Sequence, residues 1–169
     1  SDLGRREAAL AAAEEAVTVY RALAQARPDA SLPDLATSLN NLGNCLSALG
    51  RREAALAVAE EAVTVYRALA EARPDAFLPN LAISCGTLGT SLKNAGRDQE
   101  ALTAFAEGIR ALRAHFQAIP MAHAQLMLAL VRDYLTLAKE LHQEPDVEML
   151  TPIVEKLTEL NRSGSSDQQ

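Results

Sequence analysis

The chain has 169 residues, 49% apolar and 22% charged, which supplies the core of one domain or short repeat array and excludes a disordered acidic polymer. Its net charge of -6, from 16 Lys and Arg against 22 Asp and Glu, lacks the basic footprint of a nucleic-acid binder and gives no attraction to an anionic membrane. Thirty-three alanines, 4% aromatics and no tryptophan predict closely packed helices, and no apolar run reaches the roughly 18 residues that a membrane-spanning helix needs.

In chain order, the first predicted element is a helix over 5–26, with no signal-peptide pattern before it. Pro28 and Pro33 then mark a connection, and a second helix is predicted over 34–49, where Leu39, Leu42, Leu46 and Leu49 recur at helical spacing. Gly50 stands at the tight corner that follows, able to take a left-handed cap. The third helix, 52–72, carries a stripe of Leu56, Ala59, Val63, Tyr66 and Ala70, widened by Ala62, Val65 and Leu69. A face this broad suits a helix packed against both its own partner and the neighbouring unit. Pro74 is expected to end it, with 75–79 as the next connection. Further helices are predicted over 80–95, 98–117, 121–142 and 146–161, followed by a polar, frayed tail over 162–169.

The same units return along the chain. Residues 4–49 and 50–95 align at an offset of 46, with 33 of 46 positions identical, and a weaker copy starts at Gly96 with GRDQEALTAFAEGIRALRAHF. A fixed period of this size is the signature of stacked supersecondary units. Each unit reads as two helices, so the seven-helix chain opens on the second helix of a pair, as a half unit over 4–27. Full units follow over 32–73, 78–117 and 120–161, making one array over 1–161. An apolar side of helix 5–26 is then exposed or covered by another chain.

The segment LNNLGNCLSALGRREAALAVAEEAV, residues 39–63, resembles a tetratricopeptide repeat, in the elongated form of kinesin light chains and bacterial multidomain signalling proteins. Leu39, Leu42, Gly43 and Leu46 match the first-helix signature, and Gly50, Ala55, Ala59 and Ala62 the turn and second helix. The next copy offers Cys85, Leu88, Gly89, Leu92, Gly96, Ala101, Phe105 and Gly108. Gly43 and Gly89 sit between large residues on a first helix, where a close crossing needs no side chain. The third copy departs: Leu135 replaces the small glycine and His142 the turn glycine. The resemblance implies an all-α, right-handed superhelical solenoid of antiparallel pairs that serves as a scaffold for protein–protein interaction. Two cysteines, too few for a disulfide framework, point to a cytoplasmic setting, and the lack of a nucleophile–base or metal constellation leads us to expect no cofactor and no enzymatic activity.

Chemistry is sparse in the residues themselves. There is no HExxH, glycine-rich phosphate loop or CxxC. His115, His123 and His142 share no i,i+4 spacing, and Cys45 and Cys85 read as core filling. Glu14-Glu15 and Glu60-Glu61 recur with the repeat, and neighbours on a helix point about 100° apart, so they form no facing carboxylate dyad.

In the family the first helix of each pair lines the inner face. Carried over by position, this gives Thr37, Asn40, Asn44 and Ser47 in the first full unit, with Asn41 beside them as a further amide. The second unit gives Ile83, Thr90, Lys93 and Asn94, and the third Arg132, Thr136 and Lys139. Of the 13 differences between the two close copies, nine lie on the first helices, as if a scaffold were held while one face varies. The asparagines could bind a ligand backbone and the cations an acidic group. The expected function is capture of a peptide or partner-protein segment on this face; the alternatives are a spacer within a larger protein and self-association, as a homodimer through the uncapped N-terminal helix.

Overall fold

The computed structural model describes residues 2–166, and of residue 2 and residues 163–166 the backbone alone. Among the described residues seven helices follow one another: α1 (Asp2–Ala26), α2 (Pro28–Ala48), α3 (Arg52–Ala72), α4 (Pro74–Asn94), α5 (Asp98–Ala118), α6 (Pro120–Glu140) and α7 (Val147–Ser166). Consecutive helices pack antiparallel into a solenoid, and among the described residues there are no strands.

Two kinds of corner alternate. After α2 and α4, Gly50 (φ 71°) and Gly96 (φ 75°) take the left-handed conformation that a side chain disfavours. The Arg51 amide donates to the Leu46 carbonyl and the Gly50 amide to Ser47; Arg97 with Leu92 and Gly96 with Lys93 repeat the pattern. This is the double closure that satisfies the orphan carbonyls of a helix end. After α6, His142 (φ 53°) holds the same place, with the Gln143 amide on the Ala138 carbonyl. The turn is preserved there without glycine, at a cost of about 1–2 kcal/mol for a left-handed residue with a Cβ.

The second kind of corner corrects the sequence reading. The connections expected at Pro28 to Pro33 and over 75–79 are helical, and a single residue, Arg27 or Arg73, separates the neighbouring helices. Pro28, Pro74 and Pro120 open their helices, where a missing N–H costs nothing and a fixed φ favours the first turn. Pro33 and Pro79 lie inside helices, each giving up one backbone bond. α7 continues to Ser166, beyond the boundary expected at 161, and residues 167–169 lie outside the described residues.

Side-chain size sets how closely the pairs cross. Gly89 on α4 lies directly beneath the Phe105 ring of α5: a Cβ at Gly89 would fall 2.5 Å from Phe105 Cε1. Leu39, Tyr66, Cys85, Ile109 and Phe116 are among the side chains fully enclosed between the pairs. On the outer layer an ion-pair rung repeats with the period. Arg21 of α1 holds Glu61 of α3 at 2.5 Å, and Arg67 of α3 holds Glu107 of α5 at 2.6 Å, each through two hydrogen bonds. The final pair is looser. A longer turn, 141–146, joins α6 to α7, whose backbones scarcely approach one another. Asp146 starts α7 by accepting the Met149 amide and pairing with Arg110.

Candidate binding face

α2, α4 and α6 share one side of the solenoid. They are tied across it by Asn40 Nδ2 donating to Ser84 Oγ at 2.7 Å, and by Lys93 of α4 against Glu140 of α6 at 2.9 Å. Between them lies a shallow cleft of about 320 Å³. Ile83, Leu126 and Leu130 give it an apolar floor; Asn44, Ser47, Thr87, Thr90 and Asp133 give it a polar rim. Ile83 is 47% exposed, a large apolar side chain held open among hydroxyls and an amide. Gly86 brings α4 close to α6, since a Cβ there would sit 3.2 Å from Leu130 Cδ2. A second depression of similar volume continues along α4 and α6, lined by Lys93, Asn94, Phe105, Arg132 and Thr136 together with Thr90 and Asp133.

The structure thus brings together Asn44, Ser47, Ile83 and Thr90 in one cleft, and Lys93, Asn94, Arg132 and Thr136 in the next. The other positions sit differently. Thr37 bonds the Pro33 carbonyl and meets the Tyr66 hydroxyl at 2.7 Å, so its hydroxyl serves the α2–α3 contact. Asn40 is only 8% exposed and spends its amide on Ser84, while its Oδ1 is buried with no partner among the described residues. Asn41 and Lys139 are exposed outside both depressions. Arg132 is engaged by Asp133 at 2.9 Å.

Sequence reasoning passed over Thr87, Leu126 and Asp133. The signal was present for two of them. Thr87 and Asp133 hold the repeat position of Asn41, one step of 46 and two steps of 46 along the chain. Leu126 shares its position with Asp34 and Asn80, where the helices were expected only to begin.

Acid–base or thiol chemistry has little foothold. Burial pushes the Cys85 thiol up to about 12, with nearby Glu107 adding to the shift, so this sulfur stays protonated and unreactive. Among the described residues no three His, Cys, Asp or Glu side chains group as metal ligands, and no helix is long and apolar enough to cross a membrane.

A comparison with protein families matches residues 35–75 to the tetratricopeptide repeat. The matched stretch is α2 with α3, the pair that α4 with α5 repeats 46 residues later. That match, together with helices in a repeated arrangement, fits a tetratricopeptide-type repeat protein. Comparison with curated proteins gives no match, and comparison with solved structures gives none. Tetratricopeptide repeats generally mediate protein–protein interaction and typically serve as non-enzymatic scaffolds. In this array the two depressions lie on the helices that vary most between the two close copies, while the other layer is nearly unchanged between them.

Proposed function

We propose that the face formed by α2, α4 and α6 receives an extended segment of a partner protein, anchored by an apolar side chain over Ile83. The half-exposed Ile83 within a polar rim carries this reading. Its counterpart in the first copy is Thr37, so the repeat does not require an apolar residue there. An isolated apolar floor gives the anchor, and Asn44, Ser47, Thr87 and Thr90 give donors and acceptors for a passing backbone. Lys93 and Arg132 are already neutralised by Glu140 and Asp133. An acidic segment would have to displace these pairs, so the face favours a neutral one with an aliphatic or aromatic anchor. Two unpaired thiols, Cys45 and Cys85, fit a scaffold working in the cytoplasm.

Peptides selected from a random phage-displayed library on the folded chain provide the test. Ile83→Asp is expected to weaken them at least about tenfold, as a carboxylate placed under an apolar anchor must. Thr103→Ala, on the opposite layer, is expected to leave affinity unchanged. Selected peptides that bind Ile83→Asp as well as wild type would exclude this face as their site.

A further inference from the structure

The corner where α2 turns into α3, beside the end of α4, holds a recess of about 160 Å³. Ser47, Gly50, Arg52, Ala55, Ser91 and Asn94 line it, with no carboxylate among them. None of its four polar side chains makes a hydrogen bond or ion pair among the described residues. Ser91 carries the most weight: the residue is 2% exposed, and its buried Oγ has no partner. A buried hydroxyl left unmet costs stability that a ligand can return. The carbonyls of the same serines are already spent, Ser47 on the Gly50 amide and Ser91 on the Ala95 amide.

The start of α3 opens at the same corner. Arg51 stands at its cap without a side-chain bond, and the amides of Glu53 and Ala54 have no backbone partner. The positive end of the helix dipole therefore adds to the Arg52 guanidinium. The repeat does not require these residues. One period later Asp98 stands for Arg52, Leu137 for Ser91 and Glu140 for Asn94, and Glu140 holds Lys93 at 2.9 Å. That corner repels an anion; this one is arranged to receive it. We propose that the α2–α3 corner is an anion site for a phosphate-sized tetrahedral oxyanion. The Arg52 fork takes two oxygens of one phosphoryl group, and the Ser47 and Ser91 hydroxyls and the Asn94 amide donate to the others. Free phosphate and a phosphomonoester present this same chemistry. Ser47 also lines the neighbouring cleft, but recognition here is of charge and does not rest on peptide binding.

Titration of the isotope-labelled chain with inorganic phosphate, and separately with O-phosphoserine, at constant ionic strength, reads the site without any peptide. The amides of Gly50, Glu53, Ala54 and Ser91 are expected to shift together and saturate. Arg52→Gln should weaken phosphate at least about tenfold and Ser91→Ala about threefold, whereas Lys139→Gln, at an exposed cation elsewhere, should change nothing. Ser91→Ala has a second signature. Without phosphate it should not lower the urea midpoint, because its hydroxyl has no partner to lose, and added phosphate should raise the wild-type midpoint more than the variant's. Tighter binding of O-phosphoserine would assign the ligand as a phosphorylated side chain, and tighter binding of phosphate as the free anion. Shifts that never saturate and spread over all exposed lysines and arginines would overturn the site. So would Arg52→Gln and Ser91→Ala variants, shown folded by circular dichroism, that bind phosphate as tightly as wild type.

Discussion

Gly43 and Gly89 occupy the same repeat position, yet alanine at the two sites is expected to change stability in opposite directions. Replacing a mid-helix glycine by alanine is worth about 1 kcal/mol from backbone propensity alone. At Gly43 the new methyl would meet Val58 Cγ2 at 3.4 Å, ordinary van der Waals contact. Gly43→Ala should therefore stabilise by about 0.5–1 kcal/mol. At Gly89 the methyl would fall 2.5, 2.7 and 2.8 Å from three atoms of the Phe105 ring, which is buried and cannot swing aside. Overpacking of this kind costs about 1–3 kcal/mol, which outweighs the propensity gain and leaves Gly89→Ala about 1 kcal/mol less stable. Urea unfolding at constant m reads both shifts as changes in midpoint. Phe105→Leu should relieve the strain, so the Gly89→Ala and Phe105→Leu pair should show a favourable coupling of about 1 kcal/mol in a double-mutant cycle. Gly89→Ala stabilising as much as Gly43→Ala would refute the crowded crossing as the reason for glycine.

Three further outcomes follow from the same geometry. Ser84→Ala removes the acceptor of the buried Asn40 amide and should cost about 1–3 kcal/mol, much of it recovered when Asn40→Leu is added; an unchanged urea midpoint for Ser84→Ala would refute the bond. In the folded chain a thiol reagent at mildly alkaline pH should label Cys45, half-buried, well before Cys85, whose thiol is fully buried and pushed up to about 12; equal rates would contradict that burial. The Asp146 carboxyl is held below the ordinary aspartate value by the Met149 amide and by Arg110. Its folded pKa lies below the unfolded one, so its stabilisation is full above the usual aspartate value of about 4 and fades as pH falls through the folded value. The protection of α7 amides relative to intrinsic exchange at each pH should fall over that acid range in the wild type and lose this dependence in Asp146→Asn.

Much of the architecture was legible because it is written twice. The 46-residue repeat placed the corners at Gly50 and Gly96, and the apolar stripe of α3 identified its buried side. Prolines misled, because Pro28 and Pro74 read as breakers although a proline at the first position of a helix starts it. The interaction face was legible as a set of positions and not as a set of available groups. Burial took Asn40 into the contact between α2 and α4, and Tyr66 took up Thr37, because both depend on a neighbour 29 to 44 residues away in sequence. The replacement of Gly89 by Leu135 was visible in the third copy, but its consequence, a last pair splayed apart with leucines open to solvent, appears only when α7 is placed.

The most direct test of the binding face is amide chemical-shift mapping with a library-selected peptide on the isotope-labelled chain. Perturbations should concentrate on Asn44, Ile83, Gly86, Thr87, Thr90 and Ala129, along α2, α4 and α6. Perturbations confined to the ion-paired layer of α1, α3 and α5 would contradict the account and move the binding site to the opposite side of the solenoid.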